Sequence, residues 1–296
     1  MSAFAFPGLN LAITTPFNES GLIDFKRLEE LIERYLSAGV DGFVFSSGTG
    51  MHVYLTPDES RSLIEQGSRI VAGRAKVIAQ ASALLTAEVV ERAQFAKDVG
   101  ADGVMILPPF FEGPSDDNSL FDFYAEVAKV GVPIIGYNLP QVAGIRITPD
   151  LLRRLCELPE FRAIKDSSAD LVSQVKLIDT GLEILNGADP LVPFSLFAGC
   201  SGLIWGGANI APRTCVAIVK AASEKRWGDV RSLWRQLEPI MTLLWSGDYV
   251  PSAYAAAKLT GYDCGNARRP FHPISSDRVA ALRNALGSLA EQESKR

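Results

Sequence analysis

Histidine and cysteine are scarce in this sequence of 296 residues. His52 and His272 are the only histidines, and the cysteines form no C-x-x-C pair. The four cysteines are Cys156, Cys200, Cys215 and Cys264. A zinc site needs several of these residue types to converge, so no metal is expected. Each cysteine is interpreted as a small buried hydrophobe in a reducing compartment.

The sequence also lacks basic blocks and long apolar runs. Its 29 Lys and Arg residues stand against 34 Asp and Glu, which gives a net charge of −5. This balance argues against nucleic acid or an anionic membrane as the partner. No apolar run could span a bilayer, and residues 1–7 lack the charged flank and apolar stretch of a signal peptide. A cytoplasmic location is expected.

What the sequence does contain is a regular alternation of apolar runs and amphipathic segments, with 47 % hydrophobic residues overall. The apolar runs show little internal alternation, as expected for parallel strands that are buried on both faces. The predicted strands cover residues 8–15, 40–45, 76–80, 101–107, 132–138, 161–164, 182–186 and 202–205. Asp24 is predicted to cap the first helix, and Thr56 with Glu59 to form a capping box at the second.

The eight strands alternate with helices, and no linker divides them. Beyond residue 224 the pattern is helical only, with segments near 230–245, 252–259 and 277–290. The predicted fold is therefore a (β/α)8 TIM barrel over residues 1–224, with a carboxyl-terminal helical extension over residues 225–296.

Lys165 follows the sixth predicted strand and Tyr137 ends the fifth. Adjacent strands would bring an amine and a phenol to the mouth of the barrel, where catalytic groups collect. A desolvated amine can attack a carbonyl, and a nearby phenol can move protons during imine formation. The alternatives are a lysine that reaches solvent or pairs with Asp166, and a tyrosine that only packs. Lys76 lies at the amino end of its strand and is a poor catalytic candidate.

Short motifs across nearly the whole chain resemble the dihydrodipicolinate synthase / N-acetylneuraminate lyase family of class I aldolases. The motifs are TTPF at 14–17, GTG at 48–50 with LTPDE at 55–59, YNLP at 137–140, IKD at 164–166, NGAD at 186–189, and GLI at 202–204 with Asn209.

The resemblance implies roles for single residues. Lys165 would form a Schiff base with pyruvate or another 2-keto acid, so that no separate cofactor is needed, and Tyr137 would shuttle protons. The substrate-binding residues would be Ser47, Gly48, Thr49, Gly187, Asp189 and Ile204. A glycine-rich turn with free amides suits a carboxylate. Asp189 could instead cap a helix before Pro190. Members of this family are commonly homo-oligomers, so a tetramer or dimer is expected.

Several positions depart from the family pattern. Gly48 stands where dihydrodipicolinate synthases carry a relay threonine, and Phe110-Phe111 where they carry a relay tyrosine. Residues 141–144 lack the usual arginine, and Arg146, two residues beyond Gly144, is out of position to replace it. Trp205 could line the pocket or cover the core, and His52 could replace an acid/base group or be structural.

Three functions remain open on this sequence. The first is a Schiff-base lyase acting on a 2-keto acid, as a pyruvate-yielding aldolase or a dehydratase of a 2-keto-3-deoxy sugar acid. The second is 4-hydroxy-tetrahydrodipicolinate synthase, which condenses pyruvate with aspartate semialdehyde. The third is a non-catalytic protein that binds a keto acid and has a regulatory role, because a fold does not guarantee a reaction.

Overall fold

The computed structural model describes residues 5–294 and shows a closed barrel of eight parallel strands in the order of the sequence. The strands β1 to β8 are Gly8–Ala12, Gly42–Phe45, Lys76–Gln80, Gly103–Ile106, Ile134–Asn138, Phe161–Asp166, Glu183–Asn186 and Gly202–Trp205. Each strand pairs with the next, and β8 pairs with β1, so no edge is left open. The (β/α)8 barrel predicted from the sequence is confirmed.

Helices alternate with the strands and then continue alone. In order, α1 to α13 are Phe25–Ala38, Pro57–Val71, Thr86–Asp98, Asp117–Ala128, Pro140–Ala143, Pro149–Leu155, Leu171–Ile178, Val192–Ala198, Pro212–Ser223, Trp227–Trp245, Tyr249–Leu259, Ser276–Leu286 and Leu289–Ser294. Asp24 caps α1 through a hydrogen bond from the Arg27 amide, and Thr56 and Glu59 form the predicted capping box on α2. No helix within residues 5–294 combines the length and apolar character needed to cross a bilayer.

Successive strand residues point to opposite sides of the barrel wall, and this period of two produces two apolar clusters. The larger cluster lies between the strands and the helices. The smaller one fills the interior and takes a residue from every strand. Those interior strand residues are Ala12, Val44, Ile78, Met105, Ile135, Ala163, Leu185 and Ile204. The residues two positions further along each strand therefore face the carboxyl-terminal mouth of the barrel.

The amino-terminal end of the barrel is closed by Phe6, which is buried in the interior cluster. The backbone amides of Ala5 and Phe6 donate to the carboxylate of Glu183 at 2.8 and 3.0 Å. Gly103 leaves room for the ring, because a Cβ there would lie 2.6 Å from Phe6 Cζ. Within residues 5–294, Phe6 therefore fills the amino-terminal end of the interior, opposite the carboxyl-terminal mouth.

The carboxyl-terminal extension reaches the mouth. Helix α10 packs against α9 and against the 3-10 turn Asp189–Leu191 that follows β7. Helix α11 contacts the 3-10 turn Gly207–Asn209 that follows β8. The extension therefore contributes side chains to the rim beside β7 and β8.

Several predicted boundaries were wrong. Strand β1 ends at Ala12 and not at residue 15, because the Thr14 amide donates to the Asn209 side chain at 3.1 Å. Strand β6 continues to Asp166, because both neighbouring strands pair with Lys165 and Asp166. The last predicted helix is two helices, interrupted at Gly287 with a φ of 49°.

Candidate active site at the mouth of the barrel

Lys165 lies inside the mouth. It follows the interior residue Ala163 by two positions on β6, so its side chain points inward, and only 6 % of it is exposed. It does not pair with Asp166, whose oxygens accept hydrogen bonds from Asn138 Nδ2 at 2.7 Å and Gln174 Nε2 at 2.9 Å. The side-chain amine is therefore held away from bulk water without a carboxylate from its own strand.

Tyr137 is the direct neighbour of Lys165 across the sheet. The two residues are in register on β5 and β6, and Lys165 Nζ lies 4.2 Å from the centroid of the Tyr137 ring. The phenol is largely buried as well. The structure thus brings together the amine and the phenol that the sequence analysis placed at adjacent strand ends.

Gly187 provides the space for the lysine side chain. A Cβ at this position would lie 2.5 Å from Lys165 Cε and 2.2 Å from Ser167 Oγ. Real Cβ atoms do not come so close to other atoms, so any side chain would displace the lysine. Glycine at this position is explained by that close approach.

Residues 46–50 form a tight loop above the interior. Ser46 has a positive φ of 56°, and the Gly50 amide donates to Ser47 Oγ at 3.2 Å. Within residues 5–294, the amides of Gly48 and Thr49 have no hydrogen-bond partner. Unpaired amides of successive residues offer a concave binding place for an anion such as a carboxylate.

Ile204 and Trp205 lie on opposite sides of β8. Ile204 is part of the interior cluster below the mouth, where it can line a substrate pocket. Trp205 is fully buried in the outer cluster and packs between the strand and the helices. The suggestion that its indole lines the pocket was wrong, because the period of two along a strand turns adjacent residues to opposite faces.

Asp189 is buried at the end of β7, with 1 % of its surface exposed. It begins a 3-10 turn but does not cap it, so the alternative of a helix cap was wrong. Its Oδ1 accepts hydrogen bonds from Trp205 Nε1 at 2.8 Å and from the Tyr249 hydroxyl at 3.0 Å. Burial raises the pKa of Asp189 to about 6, while these two donors and the positive charge of Lys165 act in the opposite direction.

Tyr249, at the start of α11, was missed by the sequence analysis. Its hydroxyl lies 2.8 Å from the position that a Cβ on Gly206 would occupy, and Thr49 Oγ1 lies 2.4 Å from the same position. Gly206 follows the interior residue Ile204 by two positions, so this place is in the mouth. Tyr249 lies between the predicted helical segments 230–245 and 252–259, and no local sequence signal shows where this part of the chain docks.

His52 is structural. Its Nδ1 lies 3.2 Å from Ser46 Oγ, and its Nε2 donates to the Ser82 carbonyl at 2.9 Å. Burial lowers the pKa of His52 to about 4. The imidazole is therefore neutral at physiological pH, and both ring nitrogens are engaged in supporting the loop.

The structure shows the surroundings of the positions that depart from the family pattern. A Cβ on Gly48 would meet no atom within 4 Å, so this position is open space. Phe111 is 77 % exposed on the loop after β4. In the segment after β5, the Gln141 amide donates to the Ser167 carbonyl at 2.9 Å, and Arg146 pairs with Asp170 at 3.4 Å. Arg146 is thus paired with a partly exposed carboxylate on the loop after β6.

Metal ligands do not gather in the part of the chain that the structure describes. No group of three or more His, Cys, Asp or Glu side chains there could hold a metal ion.

The chain is similar to known proteins over nearly its whole length. The model of the dihydrodipicolinate synthetase family matches residues 5–289. The 4-hydroxy-tetrahydrodipicolinate synthase of Methanococcus vannielii is 32 % identical over 285 residues, covering 95 % of this chain and 98 % of that protein. The enzyme of the same name from Acidiphilium cryptum is 31 % identical over 290 residues, covering 96 % and 98 %.

A solved structure agrees with the sequence relatives. The chloride-inhibited dihydrodipicolinate synthase from Acinetobacter baumannii, crystallised with pyruvate, superposes with a TM-score of 0.91 at 28 % identity, covering 97 % of this chain and 99 % of that one. The family match extends over both the barrel and the carboxyl-terminal helices. The chain therefore belongs to the dihydrodipicolinate synthetase family and is an enzyme of the carbon–carbon or carbon–oxygen lyase type.

Proposed function

We propose that this enzyme forms a Schiff base between Lys165 and a 2-keto acid such as pyruvate, with no added cofactor. The observation that carries the proposal is the buried amine of Lys165, 4.2 Å from the centre of the Tyr137 ring. Attack of the amine on the keto carbon gives a carbinolamine, which loses water to give the imine. Tyr137 is the acid/base group for the proton transfers of this step.

The remaining predicted residues would hold the keto acid in place. The free amides of Gly48 and Thr49, with the Ser47 hydroxyl nearby, are suited to the carboxylate. Ile204 and Gly187 would line the pocket below and beside the imine. Asp189 would act from the rim through its contact with Tyr249.

The reaction favoured by the relatives is condensation of pyruvate with aspartate semialdehyde. The sequence relatives described above carry the name 4-hydroxy-tetrahydrodipicolinate synthase and align over nearly the whole chain. This is the first reaction to assay.

A second candidate is aldol cleavage or dehydration of a 2-keto-3-deoxy sugar acid. It is favoured by the segment after β5, where Val142 is exposed and Arg146 pairs with Asp170. A second substrate with its own carboxylate would need a cation there, whereas a hydroxylated substrate would not.

The test is intact-mass measurement after incubation with pyruvate and borohydride, on the parent and on Lys165→Ala. We expect a reduced adduct on the parent and none on the variant. Lys76→Ala is the matched control, because Lys76 is a strand lysine that pairs with Asp102 at the opposite end of the barrel. An adduct that persists in Lys165→Ala, or no adduct on the parent, would contradict the proposal.

Turnover assays then separate the candidate reactions. Product formation from pyruvate and aspartate semialdehyde supports the synthase, and pyruvate release from a sugar acid supports the aldolase. Trapping of pyruvate without turnover of any of these compounds would contradict both candidate reactions and leave the Schiff base as the supported step.

We also propose a homo-oligomer and a cytoplasmic location. Helices α7 and α8 pack side by side and expose Val172, Val175, Phe194 and Phe197. Exposed apolar groups on neighbouring helices are typical of a protein interface. The four cysteines are all unpaired thiols, which supports a reducing compartment.

A further inference from the structure

Two phenols lie at the mouth of the barrel that holds Lys165. Tyr137 is on β5, directly before β6, and Tyr249 reaches the rim beside β8, beyond β7. Their hydroxyls differ in their hydrogen-bond partners. The proton of Tyr249 is donated to Asp189 Oδ1 at 3.0 Å, whereas the Tyr137 hydroxyl has no hydrogen-bond partner within residues 5–294.

The hydrogen bond to Asp189 determines whether the Tyr249 hydroxyl can donate or accept a further hydrogen bond. A phenol has one proton to donate, and its oxygen lone pairs can accept. Because the proton is committed to a buried carboxyl group, the oxygen of Tyr249 offers only acceptor capacity to the mouth. Asp189 is itself fixed by the indole N–H of Trp205 at 2.8 Å, so the orientation is built into the fold.

The surroundings keep Tyr249 as the hydrogen-bond donor and Asp189 as the acceptor. Burial, followed by the negative charge of Asp189, raises the pKa of Tyr249 well above its usual value, so the phenol stays protonated. The other titratable groups whose charge acts on this pair are Lys165, Tyr137 and the buried thiol of Cys215. Met241 of α10 approaches from the outer side, where a Cβ on Gly207 would meet both its sulfur and Asp189 Oδ1 at 2.5 Å.

We propose that Tyr249, held by Asp189, is a specificity-determining residue that accepts a hydrogen bond from the C4 hydroxyl of a 2-keto acid bound to Lys165. Aldol chemistry on a Schiff base joins C3 of the keto acid to a carbonyl carbon, which becomes C4 and carries the hydroxyl. The inference rests on the imine proposed above. It assigns to this chain a 4-hydroxy-2-keto acid, in either direction of the reaction.

The same contact supplies a proton path for cleavage. The C3–C4 bond breaks, and its electron pair enters the enamine on Lys165 as C4–O–H becomes a carbonyl. The hydroxyl proton passes to the Tyr249 oxygen, while the phenol proton passes to Asp189. In condensation, the aldehyde oxygen receives its proton from Tyr249, which regains one from Asp189.

The test uses two keto acids that differ by one hydroxyl, 4-hydroxy-2-oxopentanoate and 2-oxopentanoate, with pyruvate as a third probe. Initial rates of borohydride trapping are measured by intact mass for the parent and for Tyr249→Phe. We expect the parent to prefer the hydroxylated acid by about ten-fold, the size of one neutral hydrogen bond. In Tyr249→Phe the ratio of the rate with the hydroxylated acid to the rate with 2-oxopentanoate should fall to about one, and the rate with the hydroxylated acid should fall by more than the rate with pyruvate.

Tyr254→Phe is the matched control. Tyr254 is on the same helix, and its buried hydroxyl donates to the Thr15 carbonyl at 2.7 Å, away from Asp189. This variant should keep the preference of the parent. A parent without the preference, or a Tyr249→Phe variant that retains it, overturns the inference.

Two further outcomes separate the inference from the proposal on which it rests. If Tyr249→Phe traps pyruvate as poorly as the hydroxylated acid, Tyr249 only supports the site, and the inference is wrong while the Schiff base stands. If the parent traps no keto acid on Lys165, the proposed function itself has failed.

Discussion

Gly187 and Gly206 set the space around the reactive groups. A side chain on Gly187 would collide with Lys165, and one on Gly206 would collide with Thr49 and Tyr249. Neither glycine has a positive φ, so backbone conformation does not explain them. They are explained by close approach of other side chains, which places the amine, the threonine and the second phenol within one small mouth.

Asp189 makes the stability of the protein depend on pH in an unusual direction. Its folded-state pKa is about 6, whereas an unfolded aspartate titrates near 4. The folded state therefore binds this proton more tightly, and stability from this group is lost as pH rises from about 4 to 6. In Asp189→Asn, which cannot ionise, stability relative to the parent should increase by about 2 kcal/mol between pH 4.5 and pH 7. Urea unfolding at pH 4.5 and pH 7 measures the change.

Asp170→Asn is the control with the opposite sign. Hydrogen bonds from the Ser173 hydroxyl and amide lower the pKa of Asp170, so its contribution to stability is present at neutral pH and is lost on acidification. This variant should lose stability relative to the parent as pH rises. An Asp189→Asn variant that shows the same trend as Asp170→Asn would contradict the assignment of a buried, destabilising carboxylate.

At the level of elements, the start of α2 depends on Thr56. Its hydroxyl accepts from the Glu59 amide at 3.2 Å, and the Glu59 side chain accepts from the Thr56 amide at 2.9 Å. Glu59 also accepts from Arg268 at 2.6 Å, which ties α2 to the carboxyl-terminal segment. Thr56→Ala should lower the free energy of unfolding by about 1 kcal/mol, measured by urea denaturation. Thr56→Ser keeps the hydroxyl and should stay close to the parent, and an equal loss in both variants would argue against the cap.

Capping signals and apolar runs were enough to predict the barrel, because both act over a few neighbouring residues. The same local rules placed Lys165 and Tyr137 at adjacent strand ends. The register of β5 and β6 then makes the two residues direct neighbours. The end of β1 was not predictable in this way. There the Thr14 amide finds a partner in Asn209, a residue that is distant in the sequence.

The position of Tyr249 shows why part of the site could not be read from the sequence. Its helix lies outside the repeating βα pattern, and its docking depends on contacts with the turns after β7 and β8. Trp205 was left with two interpretations for a related reason, since the sequence alone does not show which side of the sheet a residue at a strand end faces. The division into residues 1–224 and 225–296 stays a prediction.

For the whole molecule, the exposed apolar surface of α7 and α8 leads to a test of assembly. Val172 is 72 % exposed, so an aspartate there should not disturb the fold of a single chain. We expect Val172→Asp to shift the molar mass, measured by light scattering after size exclusion, toward that of smaller species. Leu22→Asp is the control, because Leu22 is 61 % exposed on a loop elsewhere. A monomeric parent, or an unchanged mass in Val172→Asp, would contradict this interface.

Phe6 closes the amino-terminal end of the barrel, and this closure imposes an order of events on the proposed reaction. In the proposed reaction, the water released when the imine forms would leave through the mouth, the passage by which the keto acid entered. A second substrate must use that passage as well. An aldehyde that arrives first would stand between the amine and the incoming keto acid, so the keto acid has to bind before it, and excess aldehyde would compete with the keto acid for entry.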